Sequence, residues 1–194
     1  MAGLRENIKN LLNKDGGMRG EFLIAMIDFI ERKEGEEGLS RLISVLHELD
    51  SSLDLNKISP TDWVDVSIGS AVIVMAKDLF DWSEETIEEM GIFTGKAVSL
   101  NKIMLRDAIN KDILLDELID HWEKIMNVGN LKVEKREEKR AELILSQFDY
   151  LQEDFIFLTG YFKLLFNLCT EKELTIEREN LEEEEVCKFI IIFN

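Results

Sequence analysis

The sequence predicts an α+β fold: an N-terminal helical bundle packed on a small antiparallel sheet. Three observations carry this prediction. Apolar residues recur every three or four positions through the first two thirds of the chain. The period drops to two over residues 131–148 and again over 172–193, each time in two segments separated by a charged turn. Between these pairs, over 154–170, the helical period returns. The order is therefore several helices, then strand, strand, helix, strand, strand. It implies one domain over 1–194, with a helical part at 1–127 and two hairpins flanking a helix at 128–194.

The elements follow in order. Leu4 to Asn13 reads as a short amphipathic helix ended by Gly16 and Gly17. Glu21 to Lys33 is the next, with Phe22, Met26 and Phe29 beside Leu23, Ile27 and Ile30, and Gly35 and Gly38 bracket its end. Leu39, Leu42, Ile43 and Leu46 mark a third helix. Ser51 to Thr61, holding the single proline Pro60, reads as a loop. Thr61 or Asp62 can cap the fourth helix. Between Asp65 and Lys77 the chain runs VSIGSAVIVMA without a charge, so this helix is apolar on most sides and belongs at the centre. Ser83 opens another helix through Met90 and Phe93 towards Leu100. Asp112 to Asn127 carries Leu115, Leu118, Trp122 and Ile125 on one face. The first hairpin pairs Leu131–Arg136 with Ala141–Phe148. The late helix places Phe155, Leu158, Phe162, Leu165, Phe166 and Cys169 on one side. The second hairpin pairs Lys172–Glu179 with Val186–Phe193 across NLEEEE.

Composition excludes several functions. Of 194 residues, 40 are acidic and 23 basic, giving a net charge of −17. Binding to a phosphate backbone needs Lys and Arg to neutralise it, so nucleic acid is not an expected partner. An anionic membrane surface is excluded on the same ground, and no apolar run approaches the roughly 20 residues of a membrane span. A 45% apolar content is enough for a real core. The N-terminus MAGLRENIKNLLNKDGG has no apolar signal core, and two cysteines make no disulfide framework. A cytoplasmic, reduced protein is the simplest expectation.

Several local sequences resemble one superfamily. They are MRGEFLIAMIDFIERKEGEEGL, HWEKIMNVGNLKVE, FLTGYFKLLFNL and the closing ELTIEREN and EEVCKFIIIF. The order of elements and these segments look like the superfamily of haem nitric-oxide-binding sensors, 4-vinyl-reductase-like regulatory domains and TRAPP transport subunits. The likeness is closest to an uncharacterised bacterial branch and spans about Met18 to the end. It implies a small-molecule or lipid binder, a sensor or an assembly subunit more than an enzyme.

The resemblance singles out His121. In the haem-binding branch the iron's histidine sits on a helix just before the sheet, and His121 in LIDHWEKIM holds a similar place. Leu114, Leu118 and Ile125 border it at helical spacing. That branch also holds the haem carboxylates with Tyr-x-Ser-x-Arg. Here the comparable stretch is AELILSQFDYLQEDF, where Tyr150 is present and the Ser and Arg do not follow. Haem is thus an implication that these residues meet only in part, and no cofactor is otherwise expected.

The remaining candidates read more plainly. His47 shares a polar helix face with Ser40, Ser44 and Glu48, which suits a solvated side chain. Two histidines and two cysteines without ligand spacing make no zinc site. Cys169 and Cys187 fall on apolar faces with no base nearby, so neither reads as a nucleophile. Carboxylate pairs such as Glu84 with Glu88, and Asp116 with Asp120, are common among 40 acids and look uniformly wet. No catalytic residue is expected. Phe22, Met26, Phe29, Met75, Phe80, Phe162 and Phe166, with His121 and Trp122, are the candidate lining of an apolar pocket between helices and sheet. Apolar stripes at helical spacing also serve simply to fill a core.

The expected function is a non-catalytic ligand-binding or sensory module. It would hold an apolar small molecule or lipid and signal through a partner protein or a homodimer. The alternatives are an interaction or scaffold subunit with a filled core, and a haem gas sensor using His121.

Overall fold

The computed structural model describes residues 16–49, 54–99, 111–148, 151–168, 173–181 and 186–194. The expected helix over Leu4–Asn13 lies outside them, as do Tyr150 and Cys169. The described elements are β1 (Gly17–Arg19), α1 (Gly20–Leu49), a 3-10 turn (Leu55–Lys57), β2 (Trp63–Asp65), α2 (Val66–Phe80), α3 (Glu84–Ser99), α4 (Lys111–Ile125), β3 (Asn130–Arg136), β4 (Arg140–Ser146), α5 (Gln152–Asn167), β5 (Leu174–Leu181) and β6 (Val186–Phe193). This is the α+β arrangement that the change of period predicts.

The second and third expected helices form one 30-residue stretch, α1, broken at Gly35 with φ 75° and ψ 174°. Only glycine adopts that conformation without strain. Gly38 does not end a helix; it continues α1 and packs towards the ring of Phe80.

The start of α2 corrects the expectation. Neither Thr61 nor Asp62 caps it. Asp65 does, its Oδ1 accepting from the backbone N–H of Ser67 at 3.0 Å and from the Ser67 hydroxyl at 2.8 Å. The reason is a two-stranded ribbon. β2 pairs antiparallel with β1, in the register Gly17↔Asp65, Met18↔Val64, Arg19↔Trp63. Residues 63–65 are therefore extended, and the helix begins after them. Asp62 instead accepts from the Ser59 N–H at 2.8 Å within the loop. As expected, α2 is central, with ten of its residues from Val66 to Ala76 buried.

α3 and α5 cross with almost no side chain between them. A Cβ on Gly91 would lie 2.0 Å from the carbonyl oxygen of Phe157, and one on Gly160 would lie 2.0 Å from that of Glu88. The late hairpins then join into one antiparallel sheet of order β3-β4-β6-β5. Along β6, Cys187, Phe189, Ile191 and Phe193 are buried on the face towards the helices. There Phe162 meets Phe189 at 5.0 Å between ring centroids, and Phe166 meets Phe193 at 5.9 Å. Among the described residues, no helix is long and apolar enough to cross a membrane.

Candidate functional site

Aromatic rings close part of the interface over the four-stranded sheet. Among the described residues, one enclosed space lies where the ribbon, α1, α2 and α5 meet. Its walls include Met18 from β1, Met26 from α1, Gly69, Ser70 and Ile73 from α2, and Asp154 and Phe157 from α5. Met126 and Phe148, which flank the first hairpin, also line it. The volume open to solvent-sized bodies is about 20 Å³, room for one water.

Each polar wall residue has a local reason to be there. Asp154 sits in the first turn of α5, where its Oδ2 accepts from the backbone N–H of Leu151 at 2.9 Å. A carboxylate there satisfies a donor that the helix leaves open and complements the helix dipole. Its Oδ1 accepts from the Ser70 hydroxyl at 2.7 Å. Asp154 is 6% exposed and Ser70 1%. This bond ties α2 to α5 at the cavity wall. Gly69 matters through what it lacks. A Cβ there would lie 2.7 Å from the Met18 methyl, so the bare backbone lets that methyl rest on α2.

The nine candidates from the sequence are not gathered around this space. Met26 borders it. Phe22 packs on Tyr161 at 5.3 Å. Phe29 lies half-buried against Trp82 and Phe93, and Phe80 against Trp82. Met75 is buried on α2. Trp122 donates from Nε1 towards the carbonyls of Val128 and Gly129, both at 3.3 Å, and its ring lies near Phe148 and Phe162. Phe162 and Phe166 pack on the sheet. His121 is half-buried, its Nε2 hydrogen-bonded to the Tyr161 hydroxyl at 2.7 Å, with the two rings nearly parallel.

Sequence reasoning misses Ser70 and Asp154, and with them Met18, Met126 and Tyr161. A signal exists. Ser70 is a polar residue inside the uncharged run of the central helix, and Asp154 precedes an apolar run, FIFL. Nothing in either segment says that the two meet across 84 residues.

Other candidates are inert or solvated. His47 is exposed. Burial pushes the Cys187 thiol up to about 12, against the weaker opposing pull of Arg178, so it is protonated and unreactive. Glu88 is paired with Lys163 at 2.7 Å, and Asp116 with Arg136. Among the described residues no group of three or more His, Cys, Asp or Glu is placed to hold a metal.

No family model and no curated protein matches the sequence. Solved structures do. The Fe(II) unliganded H-NOX protein from K. algicida aligns with a TM-score of 0.66 at 16% identity, over 91% of this chain and 97% of that one. A mutant of T. tengcongensis H-NOX aligns with a TM-score of 0.67 at 14% identity, over 91% and 98%. The chain has the H-NOX fold. A third structure of the set, described by haem redox potential and porphyrin distortion, aligns with a TM-score of 0.65 at 13% identity, over 91% and 95%.

Among the described residues, the surroundings of His121 already engage a ring nitrogen that an iron would use. The imidazole Nε2 is engaged by the hydroxyl of Tyr161, a fully buried side chain packed on Phe22 and Phe162. Neither His121 nor Tyr161 lines the cavity between the ribbon and the helices.

Proposed function

We propose that this chain is a cytoplasmic ligand-binding sensory module without catalysis of its own. It takes an apolar small molecule in the cavity between the ribbon and the helices, which widens from its water-sized volume to admit it, and passes its occupancy to a partner protein or a second copy. One observation carries this reading. A buried carboxylate–hydroxyl pair stands in an otherwise apolar cavity, at the point where the ribbon, the central helix and α5 converge. Apolar walls with few, convergent polar groups are the usual build of a small-molecule site. Its place suits signalling, because a body entering there bears on α2 and α5 together. The likeness to H-NOX structures supports a sensory role for the same architecture.

The test is native mass spectrometry of the purified full chain, with an absorbance scan of the same sample. A colourless protein carrying a copurified apolar mass is the expected result. A Soret band lost in His121→Ala would overturn it in favour of haem sensing, and would require His121 to leave Tyr161. A colourless, mass-clean dimer would move the reading to an interaction subunit, which the tight packing over the sheet favours as the second choice.

A further inference from the structure

The four-stranded sheet has a second face, turned away from the helices, and its charges are sorted by strand. We propose that this far face binds the same face of a second copy of the chain, about a two-fold axis parallel to the strands. The proposal stands on the sheet and not on the cavity. It says which of the two receivers named above the module meets.

The strand register fixes what this face carries. Leu143, Leu145, Cys187 and Phe189 belong to the buried core on the helix side. The residues that alternate with them point the other way. Two rows of these cross the strands in the order β3-β4-β6-β5. One row is Lys132, Ile144, Lys188, Glu179, and the next is Lys135, Glu142, Ile190, Glu177. Each starts basic on β3 and ends acidic on β5. Lys132, Glu177 and Glu179 are exposed and have no ion-pair partner among the described residues. Lys135 is paired at the rim, with Glu137 at 2.9 Å. In the middle Lys188 holds Glu134 at 2.9 Å and Glu142 at 3.4 Å, and Arg140 holds Glu142 at 2.7 Å. With Glu134 and Arg140 the face carries four basic and four acidic side chains. It is neutral in a chain of net charge −17, so the repulsion between whole chains is weakest here. Ile144, Val186 and Ile192 are half-buried around Ile190, which is buried yet outside the main core.

A two-fold axis along the strands lays each row on its own reverse. β3 of one copy then lies over β5 of the other. Lys132 meets Glu179 of the second copy, Lys135 meets its Glu177, and the symmetry repeats both contacts. An axis across the strands would instead set β3 over β3 and β5 over β5, like charge on like. The charge order therefore selects the first. Sheets stacked face to face stand about 10 Å apart with their strands within about 30°, a gap that a lysine and a glutamate reaching from opposite sides can close. β4 and β6 stack at the centre. They bring Ile144, Ile190 and Ile192 of the two copies together inside a charged rim, the usual build of an interface. Glu142 is already held by two cations, so covering it strands no unpaired charge.

Sedimentation velocity of the full chain and of two charge-reversed variants tests the inference. The native chain should be a dimer at about 100 µM. One variant carries Lys132→Glu and Lys135→Glu, the other Glu177→Lys and Glu179→Lys. Each alone sets like charges against each other at both edges, and its dissociation constant should rise at least about tenfold. The first variant makes the chain more negative and the second less so, so weakening in both cannot come from net charge. An equal mixture of the two should regain the native affinity, because every lysine again faces a glutamate. A monomeric native chain overturns the proposal without any variant. A native dimer that neither variant weakens overturns it too, as does a mixture that stays as weak as its components. If a double variant does not fold, Lys132→Glu and Glu179→Lys repeat the scheme as single changes. Native mass spectrometry of the same samples reads the cavity separately: a monomer with a copurified apolar mass sinks this proposal and keeps the functional reading, and a mass-clean dimer of this pattern does the reverse.

Discussion

Cys187 and Glu142 show how the same strand pair sets opposite chemistry on the two faces of one sheet. The Cys187 thiol faces the helices, and burial raises it to about 12. At pH 8 roughly one molecule in ten thousand would carry the thiolate. In a Cys169→Ser background, iodoacetamide should leave native protein unlabelled and label it fully in urea, as read by intact mass. Glu142 lies on the opposite face of the sheet, paired with Arg140 at 2.7 Å and with Lys188 at 3.4 Å. Burial alone would raise its carboxyl, but Arg140 and Lys188 outweigh that and hold it below the ordinary 4.5. A lowered folded value means that the stabilisation is present above the ordinary value and is lost as pH falls through the folded one. Glu142→Gln should therefore be less stable than the native chain near pH 7, and the gap should narrow towards about pH 3.5. Urea midpoints of both proteins at the two pH values check this.

Helix breaks and helix crossings divide cleanly between what sequence shows and what it hides. Gly35 is readable as a break because a glycine ends an apolar period, and its positive φ confirms the local cause. Its Cβ would meet nothing within 4 Å, so Gly35→Ala tests backbone strain alone. The expected loss is about 1–3 kcal/mol in urea unfolding, with unchanged helical content by circular dichroism. Gly91 and Gly160 carry no such local signal. Each sits inside a regular helical period, and its reason lies on the other helix, where a backbone carbonyl occupies the space of a side chain. Gly160→Ala must push α3 and α5 apart. It should cost about 3 kcal/mol, the upper end for overpacking, and lower the thermal midpoint accordingly. The ribbon is hidden for a different reason: strands of three residues are too short to show alternation, and β2 therefore reads as the start of a helix.

Across the whole molecule, charge and cavity pull on stability in separate ways. A net charge of −17 on 194 residues loads the folded surface with like charge. Self-repulsion of this kind weakens the compact state, and salt screens it over about 10 Å at 0.1 M. The thermal midpoint should rise between about 0.01 M and about 0.3 M sodium chloride, measured by scanning calorimetry. A flat response would show that the ion pairs distributed over the helices and the sheet already balance the excess.

The fold class, the order of elements and the buried character of α2 are set by the sequence itself, because periodicity reports which face of each element must leave water. The same periodicity cannot say which buried side chains touch. Phe162 and Phe166 read as pocket lining, yet they close onto Phe189 and Phe193 of a strand that follows them in the chain. Asp154 reads as one acid among 40, until the fold lays it against Ser70. Burial is a property of a segment and is written in its spacing. The partners of a buried group come from distant segments, so the tertiary structure alone decides where a cavity stands and what lines it.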